Sequence, residues 1–258
     1  FVVLITTNIV FITNSTMNTL KETTVGEYVA QNYRTAALFS KYKIDFCCKG
    51  NKTLGEVCLA KGLDIHQIQS EIDVVLHSNS SAEIDFKSFS PNLLIDYILE
   101  THHEYIQEKT PVLLMYLDKL CKVHGGRHTE LFEINNLFKI SATELLNHLQ
   151  KEEVILFPFI KTMALAIKNN QNIQQPDFRT VDNPIAMLKH DHEMEGDLFA
   201  KISELTNNYT PPTDACETYK VTFAMLKEYE QDLHKHIHLE NNILFHKAKE
   251  LEERFSIL

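Results

Sequence analysis

Two ten-residue stretches of this sequence share one pattern, HLQKEEVILF at residues 148–157 and HIHLENNILF at residues 236–245. Each begins with histidine, carries glutamate four residues later and ends in Ile-Leu-Phe. Positions i and i+4 lie on the same face of an α-helix, so each stretch presents one imidazole and one carboxylate together. Because apolar residues follow each pair, among them Ile155, Leu156 and Ile243, we expect both faces to point into a protein core.

The composition of the chain favours a helical globular protein. Of its 258 residues, 44% are hydrophobic, which is enough to build a core and argues against a disordered chain. Only seven glycines and seven prolines are present, too few for the many tight turns of an all-β fold. The formal net charge is −10 without a basic run, which argues against nucleic-acid binding.

Helical periodicity and breaker residues divide the chain into four parts. We predict an extension or expression remnant at residues 1–16, a small helical domain at 17–78, a linker at 79–90 and a four-helix bundle at 91–252. The alternative for the apolar start is a hydrophobic arm that docks on the body, since twelve mostly apolar residues are too short to span a bilayer.

Capping signals support this division. The pairs Thr24/Glu27, Thr53/Glu56 and Asp64/Gln67 have the spacing of capping boxes, and Ser90-Pro91 opens a long helix. The four long helices are predicted at about residues 91–123, 127–168, 184–207 and 214–252. Short connections make them an up-down-up-down bundle, in which the two decamers of the second and fourth helices face each other.

A bare carboxylate in a core is costly, and a cation would remove that cost. Each decamer supplies one histidine and one glutamate; the first helix adds His102 or His103, and the third adds His190 or His192. Four histidines and two glutamates suit a pair of metal ions, iron first and then manganese, bridged by the glutamates and an oxo or hydroxo group. The alternative is a solvated face of ordinary salt bridges.

These residues resemble the hemerythrin-like di-iron bundle. The segment LFSKYKIDFCCKGNKTL, residues 38–54, is similar to the small domain with adjacent cysteines in the RIC (repair of iron centres) family, and KEEVILFPFI and HIHLENNILF are typical of that family. The resemblance covers the chain from about residue 20 to about residue 250. In that family the first ligand precedes a Pro-x-Leu motif by eight residues and the third precedes a glycine by four, which fits His103 and His192.

The resemblance implies an iron pair, oxo- or hydroxo-bridged, with manganese and zinc ranking behind iron. The implied ligands are His103, His148, Glu152, His192, His236 and Glu240. The implied function is the repair of iron–sulfur clusters damaged by nitric oxide or oxidative stress, through iron donation to the damaged proteins. Nitric oxide or dioxygen is the implied small ligand, and nitric oxide reduction at the same site is a further implied activity. The alternatives are a non-catalytic di-iron oxygen or nitric oxide sensor, and a scaffold that binds zinc adventitiously.

Other residues are candidates for supporting roles. Cys47 and Cys48 are adjacent at a predicted turn beside Lys49, where we expect lowered thiol pKa values and reaction with oxidants or nitric oxide. Glu144 lies one turn before the first decamer, where a semi-buried carboxylate would relay protons or guide a ligand channel. Asp191 is a weaker candidate for the same role.

The remaining histidines and cysteines carry less specific information. Histidines expected at the surface are His124, His128, His234, His238 and His246. Five cysteines, an odd number, do not resemble a disulfide framework, and we therefore expect a reducing cytoplasm. No membrane association is expected, and the sequence is compatible with a homodimer.

Overall fold

The computed structural model of this chain describes residues 22–77 and 84–255, and the chain divides into two compact units between residues 83 and 84. Every regular element within the described residues is helical, and the only β-type pairing there is an isolated bridge between Thr24 and Thr53. The predicted all-α class is therefore confirmed. The extension predicted at residues 1–16 lies outside the described residues. None of the described helices combines the length and apolar character that crossing a bilayer requires.

The described residues of the first unit, 22–77, form four short helices. They are α1 (Val25–Gln31), α2 (Thr35–Lys41), α3 (Leu54–Lys61) and α4 (Ile65–His77). The capping boxes predicted at Thr24 and Thr53 are both formed. Each threonine hydroxyl accepts a backbone N–H, and the glutamate three residues later accepts the backbone N–H of the threonine. Asp64 also accepts backbone N–H groups at the start of α4, but the side chain of Gln67 donates to the Tyr42 hydroxyl instead of the cap.

The second unit is a bundle of four long helices. They are α5 over residues 91–124, α6 over 130–169, α7 (Asp182–Leu205) and α8 over 217–255. Each helix packs against at least two of the others, so that α5, α6, α7 and α8 close a ring around one core. The predicted boundaries agree with these to within three residues at every end.

One layer of the bundle core takes a side chain from every long helix. Phe138 of α6, Phe199 of α7 and Tyr229 of α8 pack with ring centroids 5.5–6.4 Å apart, and all three are buried. The Tyr229 hydroxyl lies 2.9 Å from the hydroxyl of Thr110 on α5, which satisfies a polar group that burial would otherwise strand. This layer fixes the four helices relative to one another on one side of the candidate site.

Three of the four long helices contain a π-helical turn. These turns are Leu99–His103 in α5, Glu152–Leu156 in α6 and Glu240–Leu244 in α8. In α6 the N–H of Phe157 donates to the carbonyl of Glu152, five residues earlier, and Phe245 donates to Glu240 in α8 in the same way. A π-turn adds one residue to the helix and rotates the residues that follow; such turns are frequent at functional sites.

The π-turn of α6 changes which residues face the core after the first decamer. Ile155, expected on the core face, is 45% exposed, so this expectation was wrong. Leu156 is buried as expected, and Phe157 is buried as well. In the second decamer Ile243 is buried as expected.

The predicted linker ends earlier than expected. Residues 79–83 lie outside the described part of the chain, but Phe86–Ser88 form a short 3-10 turn. Phe86 is buried and its ring centroid lies 4.9 Å from that of Tyr97 in α5, so this segment belongs to the bundle. Ser90 caps α5, whose first residue is Pro91, as predicted.

Candidate metal centre

All six residues proposed as ligands from the sequence converge in the interior of the bundle. The set is His103 from α5, His148 and Glu152 from α6, His192 from α7, and His236 and Glu240 from α8. None of them is more than 1% exposed. The i, i+4 spacing of each decamer puts its histidine and glutamate on one face, and the ring of four helices turns those faces inward.

The six side chains form two overlapping groups of four potential ligands. One group is His103, Glu152, His236 and Glu240, and the other is His148, Glu152, His192 and Glu240; within each group the ligand atoms lie within 4.8 Å of one another. Both glutamates belong to both groups. The arrangement therefore matches two cation positions joined by two shared carboxylates.

Each shared carboxylate directs one oxygen to each group. Glu240 Oε1 lies 2.9 Å from His236 Nε2, and its Oε2 lies 3.1 Å from His192 Nε2. Glu152 Oε1 lies 3.3 Å from His148 Nε2, and its Oε2 lies 3.5 Å from His103 Nε2. A carboxylate that offers its two oxygens to two separate pairs of imidazoles has the orientation of a bridging ligand.

The histidine nitrogens also face one another across each position. His103 Nε2 lies 3.2 Å from His236 Nε2, and His148 Nε2 lies 2.9 Å from His192 Nε2. Nitrogen atoms aimed at a common point suit coordination of a cation better than bonding to separate partners.

Most of the histidines are oriented by a hydrogen bond from their other ring nitrogen. Nδ1 lies 2.8 Å from Glu153 Oε1 in His103, 3.3 Å from Asp191 Oδ2 in His148 and 3.1 Å from Asn241 Oδ1 in His192. An Nδ1–H group that donates to an outer oxygen leaves the Nε2 lone pair directed inward, as metal-binding histidines require. Lys151 in turn binds Asp191 at 2.9 Å and holds that carboxylate in place.

The repeated decamer also encodes two of these outer partners. The residue after each glutamate, Glu153 in one copy and Asn241 in the other, orients a histidine of the preceding helix. Sequence reasoning missed both residues. The signal was present, because both copies carry a polar residue immediately after the glutamate.

The two positions differ in the outer partner of one histidine. His148 has Asp191, whereas the Nδ1 of His236 has no hydrogen-bond partner among the described residues. The ring of His102 stacks on that of His236 at a centroid distance of 5.9 Å. The hydrogen bond of His102 goes to a different residue, since its Nδ1 lies 2.8 Å from Asp232 Oδ1. His102 is thus buried but outside both ligand groups.

His190, the other histidine that the sequence left open, is exposed on α7. The groups therefore contain His103 and His192, as the family resemblance implied.

The buried glutamates control the charge of the site. Burial opposes a positive charge on His103, yet Glu152 and Glu240 raise its pKa to about 10. Burial likewise opposes a charge on His148, whose pKa Glu152 and Asp191 raise to about 10. Burial would raise the pKa of Glu240, but His236 and the other imidazoles hold it well below its ordinary value. The carboxylates therefore stay ionised and require positive charge within a few ångströms.

The residues fit a pair of transition-metal ions. Both oxygens of Glu152 and Oε2 of Glu240 are buried and accept no hydrogen bond from any described residue, an arrangement that is costly unless a cation lies beside them. Four imidazole nitrogens with carboxylate oxygens suit iron, manganese or zinc rather than calcium or magnesium. The structure thus indicates a metal-binding site.

The structure corrects the expectation for Glu144 and reveals a different buried carboxylate. Glu144 is exposed rather than semi-buried. Glu195 of α7 is only 2% exposed and accepts a 2.6 Å hydrogen bond from the Ser141 hydroxyl, and its other oxygen has no hydrogen-bond partner in the described part of the chain. Burial raises the pKa of Glu195 to about 7. Glu195 lies three residues after His192, a helical spacing that could have identified it from the sequence.

The adjacent cysteines of the first unit also depart from expectation. The neighbouring Cys48 sulfur and burial raise the pKa of Cys47 well above its ordinary value, so the expected lowering was wrong for this thiol. Lys49 does not outweigh those effects.

Two of the five histidines expected at the surface are buried. His124 lies 3.2 Å from the Cys216 sulfur, and His238 lies 3.0 Å from Asn242. His128 and His234 are half-buried, and His246 is exposed.

Comparison with known proteins agrees with both units. The hemerythrin HHE cation binding domain matches residues 94–248, and ScdA_N, a domain of unknown function (DUF542), matches residues 21–75. The second unit is thus a hemerythrin-type cation-binding bundle.

Similarity also extends across nearly the whole chain. Iron-sulfur cluster repair protein YtfE of Enterobacter sp. (strain 638) is 33% identical over 224 residues, which cover 87% of this chain and 95% of that protein. Iron-sulfur cluster repair protein ScdA of Staphylococcus haemolyticus is 33% identical over 226 residues, 88% of this chain and 97% of that protein. The chain therefore belongs to the RIC, or repair of iron centres, family.

Replacing Asp191 by alanine should weaken ferrous iron binding by about 10–100-fold, because His148 loses the acceptor that orients it. Competition against a ferrous chelator of known affinity measures the change. Glu144→Ala is the matched control, since it removes an exposed carboxylate from α6, and its affinity should equal that of the unmodified protein. Equal affinities in both variants would show that Asp191 does not support the site.

Replacing Glu195 by glutamine should stabilise the bundle at neutral and alkaline pH. The pKa of this carboxyl is raised from 4.5 to about 7, so the folded protein binds a proton that the unfolded chain releases above pH 4.5. Ionisation of Glu195 in the unfolded chain therefore lowers the free energy of unfolding as pH rises. The loss levels off above about pH 7 at roughly 3 kcal/mol. Denaturant unfolding of both proteins in the same metal state should show a gain that grows from pH 5 to pH 8. A gain independent of pH would contradict the assignment.

Proposed function

We propose that this protein repairs iron–sulfur clusters damaged by nitric oxide or oxidative stress, by donating iron from a pair of ions in the bundle. The observation that carries the proposal is the sharing of Glu152 and Glu240 between two groups of potential ligands. The relatives that match this chain over most of their length are named iron-sulfur cluster repair proteins, which supports the same function.

In this proposal each ion has its own pair of histidines. His103 and His236 hold one ion, His148 and His192 hold the other, and Glu152 and Glu240 bridge the pair. Iron bound there would supply transferable ions and, at the ferrous level, one electron from each. An oxo or hydroxo bridge between the ions belongs to the proposal, with manganese and zinc as less favoured metals.

The donor set suits release as well as binding. Neutral imidazoles provide most of the ligands, and two ferrous ions carry twice the charge that Glu152 and Glu240 neutralise. Glu153 and Asp191 add two carboxylates in the outer layer, where they help to balance charge through the histidines without ligating the metal. Fewer anionic bonds to the metal should make its transfer to another protein easier than from a carboxylate-rich site.

The other parts of the proposal concern ligands and partners. The partners are damaged iron–sulfur proteins, and the small ligand is nitric oxide or dioxygen. Reduction of nitric oxide is an accessory activity that ferrous iron would permit. The cysteine content is the basis for placing this activity in the reducing cytoplasm.

The two histidines of LKHDHEMEG on α7 provide a direct test. His192→Ala removes a buried ligand and should lower both bound iron and the reactivation of a nitric-oxide-damaged [4Fe–4S] enzyme by more than about 10-fold. His190→Ala removes an exposed histidine two residues away and should leave iron content and reactivation unchanged. Iron per chain and the recovered activity of the damaged enzyme are the measurements.

Two results would overturn this function. Reactivation that persists after His192→Ala has lost its iron would exclude donation from this site. A fully iron-loaded protein that never reactivates the damaged enzyme would favour the alternative function, a non-catalytic di-iron sensor of oxygen or nitric oxide.

A further inference from the structure

A second cluster of potential metal ligands lies in the first unit. Ligand atoms of Asp45, Cys47 and Cys48 lie within 4.8 Å of one another in the loop between α2 and α3. These residues are distinct from the six in the bundle. Two sulfurs and one carboxylate make a donor set of a different chemical kind from the histidine-rich centre.

The two sulfurs are already spaced for a common metal ion. Cys47 Sγ and Cys48 Sγ are 3.7 Å apart. Two metal–sulfur bonds of about 2.3 Å that meet at a tetrahedral angle place their sulfurs roughly 3.8 Å apart. The thiols therefore need little movement to ligate one ion.

Asp45 is held on the same side of the loop by the backbone of the cysteines. Its Oδ1 accepts the N–H of Cys47 at 3.1 Å and the N–H of Cys48 at 2.9 Å. The Cys47 thiol also donates to Oδ1 at 3.4 Å, so the carboxylate lies directly beside the sulfurs. The same turn thus positions all three ligands.

The loop itself is anchored at both ends. Ile44 and Phe46, which flank Asp45, are buried, and the carbonyl of Gly50 accepts a 2.8 Å hydrogen bond from the N–H of Gly26 in α1. Cys48 and Asp45 are partly exposed, so an ion can reach the cluster from solvent. A site whose ligands are fixed before binding loses less entropy on binding.

The charge of the cluster also favours a cation. Cysteine ligates a metal ion as the thiolate, so the bound cluster would contain two thiolates and the Asp45 carboxylate. A divalent ion would compensate all three groups, and each thiol would release its proton to solvent on binding.

We propose that Asp45, Cys47 and Cys48 bind one thiophilic divalent cation, of the class of ferrous iron and zinc, with the fourth position open to water or an incoming thiolate. Thiolates select such ions over calcium and magnesium. A part for this ion in iron transfer rests on the proposed function, but the binding itself does not.

Cobalt(II) is the probe, since its thiolate complexes absorb through sulfur-to-metal charge transfer. The full chain, with iron already in the bundle, is titrated with cobalt(II) without oxygen and with a phosphine reductant. One equivalent of cobalt should produce the charge-transfer band while the iron content stays constant, and zinc should displace it.

Cys48→Ser changes a half-buried residue and should abolish the band, weakening cobalt binding by more than the roughly 10–100-fold that loss of an outer partner costs. Asp45→Asn keeps the oxygen that accepts the backbone N–H groups and should weaken binding while retaining the band. Cys58→Ala, a buried thiol of the same unit outside the cluster, is the matched control and should bind as the unmodified chain does.

The site is disproved if the unmodified chain shows no band, or if Cys48→Ser retains it. If the unmodified chain repairs clusters but binds no cobalt, the second site is excluded and the proposed function stands. If it binds cobalt but does not repair clusters, the second site stands and the proposed function fails.

Discussion

Two glutamate carboxylates lie completely buried at the centre of a four-helix bundle, and the rest of the site follows from the charge that they require. Glu152 and Glu240 remain ionised despite burial, so positive charge must be supplied close to them. Four imidazoles surround them, one from each of α5 and α7 and one beside each glutamate. A pair of cations satisfies the same requirement, and each glutamate already directs one oxygen to each position.

The repeated decamer makes the site approximately symmetric. Each copy supplies a histidine, a glutamate that belongs to both ligand groups, and the polar residue that orients a histidine of the preceding helix. The symmetry ends in the outer layer, where Asp191 supports His148 while His236 stacks on His102. A carboxylate behind a histidine strengthens its bond to a metal. The two positions are therefore not equivalent in the outer layer.

Much of the bundle could be predicted from the sequence because two local signals agreed. Apolar periodicity and breaker residues set the helix ends to within three residues. The i, i+4 pattern placed His148 with Glu152 and His236 with Glu240. The choice of His103 and His192 needed the family resemblance, since neighbouring histidines on the same helices have similar local sequence.

What escaped prediction depends on contacts between helices and on backbone hydrogen bonding. The π-turn after Glu152 is not visible in a periodicity of 3.6 residues, and it turned Ile155 to the solvent. Glu144 precedes His148 by one turn but lies beside the buried stripe of α6, whereas Glu195 lies within the buried stripe of α7. In the first unit, the pKa of Cys47 is governed by Cys48, burial and Asp45, an effect that proximity to Lys49 in the sequence could not reveal.

Anomalous diffraction at the iron edge from crystals of the iron-loaded protein tests the central claim most directly. Two iron peaks are expected, one coordinated by His103 and His236, the other by His148 and His192, with Glu152 and Glu240 bound to both. A single peak, or iron located away from the two glutamates, would contradict the shared-carboxylate centre.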